Sequence, residues 1–356
     1  MWRGDPSINA YVDGWVAPRL LAQFGITLRT VEGQGPEIVN QLIVERDAGS
    51  PGSADLVWIN GETFSTLREA RLLFGPWASR LPNAYAIDSA SSIIVRDFEQ
   101  PLDGFESPWG TVQFALIYDS VRTPSPPRTV AQLADWIRAH PGRFTHDQQF
   151  TGTTFLKTVM YGLHGGHARF AGGFDEARYG AARDSTFRWL QAVVPSFWRA
   201  GEAYPPGVAD LHRLFANGEI DFTMSNNQND VLTKIRQGIL PGASTPLLLH
   251  DGTIANAHYV GIPRNARNPI GAMIVADFLL SAEAQAEKSR PDVWADGTVL
   301  DIAKLTPADA EFFAGRTADP RSLPRDSLVK YARPEVSPRY HERLAADWKA
   351  QIRRGP

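Results

Sequence analysis

Residues 26–64 read ITLRTVEGQGPEIVNQLIVERDAGSPGSADLVWINGETF, and the order of patterns within them decides the fold class. Ile26 to Val31 alternates as a strand does, and Pro36 then suits the first turn of a helix carrying Ile38, Val39, Leu42 and Ile43 down to Gly49. Ala54 to Ile59 is nearly all apolar, the composition of a strand buried on both faces of a parallel sheet. Strand, helix and strand in this order are α/β winding.

Upstream, Ile8, Tyr11, Val12, Trp15, Val16, Leu20 and Phe24 form a helical stripe that Gly25 closes, with Pro18 expected to kink or restart it. Downstream, a second region begins near Pro108. Gly110 to Tyr118 reads as a strand, Val130 to Ala139 as a helix and Arg143 to Thr145 as a short strand. A helix enters at Thr151, a mobile loop is expected over Gly162 to Gly173, and another helix runs from Ser185 to Trp198, bent at Pro195. Leu211 to Ala216, Gly218 to Met224 and Val231 to Arg236 give one more helix-strand-helix passage, so the middle of the chain reads as a second α/β lobe. Thr253 to Pro263 holds a strand, Asn268-Pro269 starts a helix, and a last helix covers about Tyr340 to Ile352.

With 356 residues the chain exceeds what one hydrophobic core covers, and 43% hydrophobic content excludes a disordered or collagen-like protein. A net charge of −3, with basic residues spread throughout, leaves no footprint for nucleic acid or anionic lipid. The absence of cysteine removes disulfides, thiolate metal sites and thiol nucleophiles. Apolar runs such as Ile270 to Leu280 fall short of the roughly 20 residues that span a bilayer. No leader opens the chain: Met1-Trp2-Arg3 runs at once into Gly4-Asp5-Pro6, as though the end of a first strand followed a removed segment.

Catalytic signatures are missing. No Gly-Lys pair exists for a phosphate loop, Gly33-Gln34-Gly35-Pro36-Glu37-Ile38 has Ile38 where a dinucleotide turn needs its third Gly, and Gly-x-Ser-x-Gly does not occur. His164 and His167 sit in a Gly-rich stretch without a carboxylate, which favours surface histidines over a metal site. These silences favour binding over chemistry, with no catalytic residue, metal or cofactor expected.

In wound α/β sheets ligands sit beyond the carboxyl ends of strands. That rule selects Trp2 and Asp5 after the first strand, Asn60, Gly61 and Glu62 after the third, and in the second lobe Thr151, Gly152, Thr153, Asn226 and Asn227. Each has a structural alternative: Asn60-Gly61 as a plain turn, Thr151 and Asn226 as caps, and Trp58 as core packing. Trp109, between Pro108 and Gly110 in an expected hinge, is the strongest aromatic contact on this reading, since an indole there has less reason to be core.

Four segments carry a resemblance: Ala54 to Phe64 (ADLVWINGETF), Ser107 to Ser120 (SPWGTVQFALIYDS), Leu214 to Met224 (LFANGEIDFTM) and Asn256 to Gln285 (NAHYVGIPRNARNPIGAMIVADFLLSAEAQ). Together they resemble the solute-binding receptors of ABC importers, extracellular family one, and the first resembles a bacterial subgroup with a near-identical WINGE motif. The resemblance implies a two-lobed, type II periplasmic-binding-protein fold with a ligand cleft between lobes and crossover strands near Pro108 to Phe114 and Asn256 to Pro263. It implies a first lobe of residues 1–112 plus 256–356, with part of the C-terminal helices allowed onto the second lobe of residues 113–255. His258 and Tyr259 then join the ligand-contact set. It further implies a monomeric, exported, periplasmic protein with a small-molecule solute and ABC permease subunits as partners. The chain lacks the adjacent tyrosines of that family's ferric binders, which argues against iron. Asp5 and Glu62 beside Trp58 and Trp109 suggest an organic cation, and the helix starts at Thr151 and Asn226 an oxygen-rich group; a zwitterion or thiamine-like compound satisfies both. The alternative is a two-lobed transferase or hydrolase of the porphobilinogen-deaminase kind, which would need the cysteine this chain lacks.

Overall fold

The computed structural model describes residues 2–3, 6–33, 35–314 and 319–351. In chain order these begin with β1 (Trp2–Arg3), α1 (Pro6–Tyr11), α2 (Ala17–Phe24), β2 (Val31–Glu32), α3 (Gly35–Asp47), β3 (Val57–Ile59) and α4 (Gly61–Glu69). A short α5 (Ser92–Val95), β4 (Arg96–Asp97), β5 (Gln100–Pro101), β6 (Glu106–Gln113) and β7 (Ala115–Asp119) follow. Next come α6 (Val130–Ala139), α7 (Phe150–Leu163), α8 (Glu176–Val193), α9 (Val208–Ala216), β8 (Phe222–Ser225), α10 (Asp230–Arg236), β9 (Ser244–Leu247) and β10 (Thr253–Gly261). The last elements are α11 (Pro269–Leu280), α12 (Ala282–Lys288), α13 (Pro307–Ala310), α14 (Arg325–Tyr331), β11 (Ala332–Pro334) and α15 (Pro338–Gln351). Among the described residues no helix is long and apolar enough to cross a membrane.

The chain forms two compact units, Met1–Thr111 with Asn256–Thr317 and Val112–Ala255 with Ala318–Pro356. The first two of the three passages between them fall inside β6 and β10. The first lobe expected from sequence took in residues 256–356 while allowing part of the C-terminal helices onto the second; here residues 318–356 group with unit 2. Tyr340, Leu344 and Trp348 on α15 join the core of unit 2, and Lys157 on α7 pairs with Glu335 just ahead of that helix.

In unit 1, Tyr11, Val12, Val16 and Leu20 pack with Leu56, Val260 and one face of α11, while α3, β3 and α4 close a smaller core around Ile38, Leu42, Ile59 and Phe64. Pro18 does not break the first helix. A π turn over Val12–Val16 precedes it, and Pro18 falls in the first turn of α2, where its missing N–H costs least. Gly25 closes α2 at φ 67°, a left-handed cap. β3 pairs antiparallel with β10, Tyr259 opposite Ile59, whereas its apolar composition suggested a parallel neighbour. Burial on both faces, not strand direction, is what that composition records.

In unit 2, β7 lies between β8 and β9, antiparallel to both. Around this sheet the helices bury Phe144, Phe155, Leu190, Leu211 and Phe215. Arg143 to Thr145 is irregular, and the segment expected to be a loop contains a helical turn at His167–Phe170. α8 starts at Glu176, ahead of the expected Ser185, and Pro195 ends it by starting a tight turn.

Candidate functional site

Each unit presents a polar shelf at the end of a strand. In unit 1, Val57 and Ile59 of β3 face the core, so the strand's alternation turns Trp58 to the opposite side, where it is half-buried. Its indole Nε1 donates to Asn60 Oδ1 at 2.7 Å, fixing the ring plane and leaving the N-cap of α4 without a side-chain bond. Trp109 meets Trp58 edge-on at 4.9 Å and 79°, His258 lies 4.8 Å from Trp58, and Trp294 completes the cluster at 5.2 Å from Trp109. Sequence reasoning missed Trp294, whose position far from any strand end carried no signal.

Beneath these rings runs a buried polar chain. His258 Nε2 lies 3.1 Å from Asp296 Oδ2, and Lys288 Nζ donates to the same oxygen at 2.7 Å. Burial lowers the Lys288 ammonium from its ordinary range, against the opposing pull of Asp296. Gly110 is dictated by this packing: a Cβ there would overlap the His258 ring and the Asp296 carboxylate. Gly61, at φ 31°, is held under the Phe98 ring in the same way.

Two expected contacts are corrected. Trp109 is 0% exposed and belongs to the core, so in this conformation it supports Trp58 and presents no face of its own. The segment does lie at a passage between units, but sequence does not reveal that His258 and Asp296 exclude a side chain at Gly110 and that Trp109 beside it is core. Tyr259 is likewise fully buried, its hydroxyl within 3.3 Å of the Ile93, Ile94 and Arg96 carbonyls, and burial pushes that hydroxyl well above its ordinary pKa. His258 is 6% exposed, enclosed by Trp58, Trp109 and Trp294. Asp5 lies outside the described residues, as do the side chains of Trp2 in β1 and Glu62 in the first turn of α4.

In unit 2 the structure joins two loops that the sequence could only list. Thr151, Gly152 and Thr153 occupy the first turn of α7, and Asn226 and Asn227 follow β8. Asn226 Nδ2 donates to Thr151 Oγ1 at 2.9 Å. Asn227 Oδ1 accepts from Asn229 N at 2.9 Å, and Gln228 Oε1 accepts from Gln113 N at 2.8 Å, which anchors the loop to the end of β6. Gly152 admits no side chain, since a Cβ would strike the Asp147 carbonyl. Asp147 accepts from Gln149 N at 2.7 Å, yet burial still raises its carboxyl above the usual range. Beside it His146 is pushed down to about 4 by burial, and on α9 His212, bonded to Thr223 Oγ1 at 2.8 Å, is pushed down to about 4 by burial and by Lys234. Neither histidine stood out in sequence, because nothing local marks a histidine as buried.

Unit 1 thus presents an indole with a bonded amide, and unit 2 hydroxyl and amide groups at a helix start, the kinds of group that can contact a polar solute. Among the described residues no group of three or more His, Cys, Asp or Glu is placed to hold a metal ion.

The periplasmic binding protein AfuA from Actinobacillus pleuropneumoniae, solved with exogenous fructose-6-phosphate bound, matches with a TM-score of 0.67 at 15% identity, covering 99% of this chain and 98% of that one. A putative spermidine/putrescine ABC transporter protein from Listeria monocytogenes matches at 0.62 and 16%, covering 95% and 96%. These show the type II periplasmic-binding-protein fold. Protein YnjB of Escherichia coli (strain K12) is 36% identical over 328 residues, 91% of this chain and 84% of that protein. The family model of bacterial extracellular solute-binding proteins matches residues 16–313, and with that extent the chain belongs to this family.

Proposed function

We propose that the protein is a non-catalytic receptor that draws its two units onto one small organic cation or zwitterion, such as an amine or a thiamine-like compound, and hands it to an ABC permease outside the cytoplasm. Family membership supports the receptor role and the extracytoplasmic location. The observation that carries the solute class is Trp58, a half-buried indole locked in plane by Asn60 and braced by three further rings. An indole face attracts a cation by roughly 0.5–2 kcal/mol, and a locked ring loses little entropy on binding. Glu62, in the first turn of α4 next to Asn60, is the proposed counter-charge. In unit 2, Thr151 and Asn226 at the start of α7 are the proposed partners of an oxygen-bearing end. Contacts from both units would exist together only in a closed form, so binding would shift an open-closed equilibrium that a permease can read.

Titration calorimetry against amines, vitamins, sugars and phosphonates tests this. The expected result is one cationic or zwitterionic binder whose affinity falls about tenfold or more in Glu62→Gln and in Trp58→Ala, each tenfold being about 1.4 kcal/mol. A preferred ligand that is a neutral sugar or an anion, or affinity unchanged in both variants, rejects the assignment.

A further inference from the structure

Unit 1 contains a cavity of about 310 Å³ at the C-terminal end of α4, the opposite end from Asn60. Nine residues of helix separate the two places, about 13 Å along the axis. Three arginines line the cavity, Arg68, Arg71 and Arg264, together with the rings of Phe74 and Phe105. Short antiparallel bonds hold it open: Phe74 N donates to Ile262 O at 2.8 Å and Arg264 N to Leu72 O at 2.7 Å.

The arginines are not equivalent. Arg68 lies over the Phe105 ring at 3.7 Å and donates to Asp103 at 3.1 Å, so it is both stacked and paired. The Phe105 ring reaches this place because Gly75 has no Cβ to meet it. Arg71 and Arg264 are exposed and form no ion pair among the described residues, which leaves Asp103 as the one acid bonded to any of the three. Arg71 also stands at φ 55°, a backbone state in which glycine is the easier residue, yet a guanidinium occupies it. Phe74 is 37% exposed beside these two charges. Unpaired guanidinium groups at the rim of an apolar hollow suit a planar or tetrahedral oxyanion, and a stacked Arg-Phe wall suits a flat ring. The volume sits at the small end of ligand pockets.

We propose that this cavity is a second ligand site, separate from the solute shelf, that takes a small aromatic oxyanion: Arg71 and Arg264 hold the phosphate or carboxylate, and the ring enters between Phe74 and the Arg68-Phe105 stack. Calorimetric titration of the whole protein with phenyl phosphate tests this, with inorganic phosphate and phenol as partial probes. Saturable binding with a dissociation constant of about 1 mM or tighter is expected, about −4 kcal/mol, with both partial probes weaker. The double variant Arg71→Gln/Arg264→Gln, exposed at both positions, should keep the wild-type melting temperature and lose at least about tenfold in affinity, a difference of about 1.4 kcal/mol, while Trp58→Ala leaves phenyl phosphate binding unchanged. Absence of saturation overturns the proposal, as does equal binding by the double variant or loss in Trp58→Ala. Because the solute reading is read out at Trp58 and Glu62, either reading can fail while the other stands.

Discussion

At the scale of single residues, two tryptophans in similar surroundings have opposite roles. Trp58 sits between Val57 and Ile59, and strand alternation alone places it on the face opposite to theirs. Trp109 lies between Pro108 and Gly110, next to the passage between units, and is nonetheless core, while Gly110 is required by the His258 ring and the Asp296 carboxylate above it. That requirement comes from residues 148 and 186 positions away, beyond the reach of local pattern. Gly110→Ala should therefore cost roughly 1–3 kcal/mol by overpacking, seen as a lower denaturant midpoint at unchanged slope. The buried histidines give a second expectation. His146, surrounded by Phe155, Phe197, Tyr204 and Trp348 and bonded to the Asp147 carbonyl, and His212, facing Thr223, Asp230 and Lys234, both have folded values of about 4 against an ordinary 6.5. Between pH 6.5 and 4 the unfolded chain binds protons there that the folded chain does not, so stability falls as pH falls through this window. Each histidine should add about one proton to the slope of unfolding free energy against pH, and His212→Asn should remove one; an unchanged slope in that variant would contradict the assignment.

At the scale of elements, apolar periodicity located α3, α6 and α11 but neither α4, whose start reads as a loop, nor the strand partners. β3 has the composition of a fully buried strand, which says nothing about direction, and its partner β10 arrives antiparallel from a segment about 200 residues later. Arg143-Phe144-Thr145 looked like a strand because Phe144 is buried, yet Phe144 is packed among Phe155, Phe197 and Phe222 without a ladder. The C-terminal helix was legible as a helix and was allowed onto the second lobe, but its buried charged fastening was not legible, since pattern reading assigns residues such as Lys157 and Glu335 to solvent. Both are almost wholly buried, with His341 Nδ1 3.4 Å from the same ammonium. Glu335→Gln should leave Lys157 with much less compensation and cost roughly 3–5 kcal/mol, whereas Lys157→Met/Glu335→Leu should recover most of it. Thermal melts of the two variants distinguish a fastening by charge from one by packing alone.

At the scale of the whole molecule, the places where the chain divides, inside β6 and β10, are ones that the family resemblance and not local pattern suggested, and β6, with Glu106, Ser107, Pro108 and Gly110, carries no apolar run to mark it. The two polar shelves read in the sequence as loops after strands. What pattern could not supply was which loops meet, as Asn226 and Thr151 do across 75 positions. A solute that binds the folded chain alone should raise its stability by about 2.7 kcal/mol at one hundred times its dissociation constant, and calorimetric melts should show it.

The order of the segments also constrains how the chain comes into being. Unit 1 needs residues after 256 and unit 2 needs residues after 318, so neither core is complete while the first 255 residues emerge from a ribosome or a pore. The two units differ in what that late segment adds: all but four of the described residues of the unit 2 core lie within 114–254, and Val336, Tyr340, Leu344 and Trp348 close it from the end of the chain.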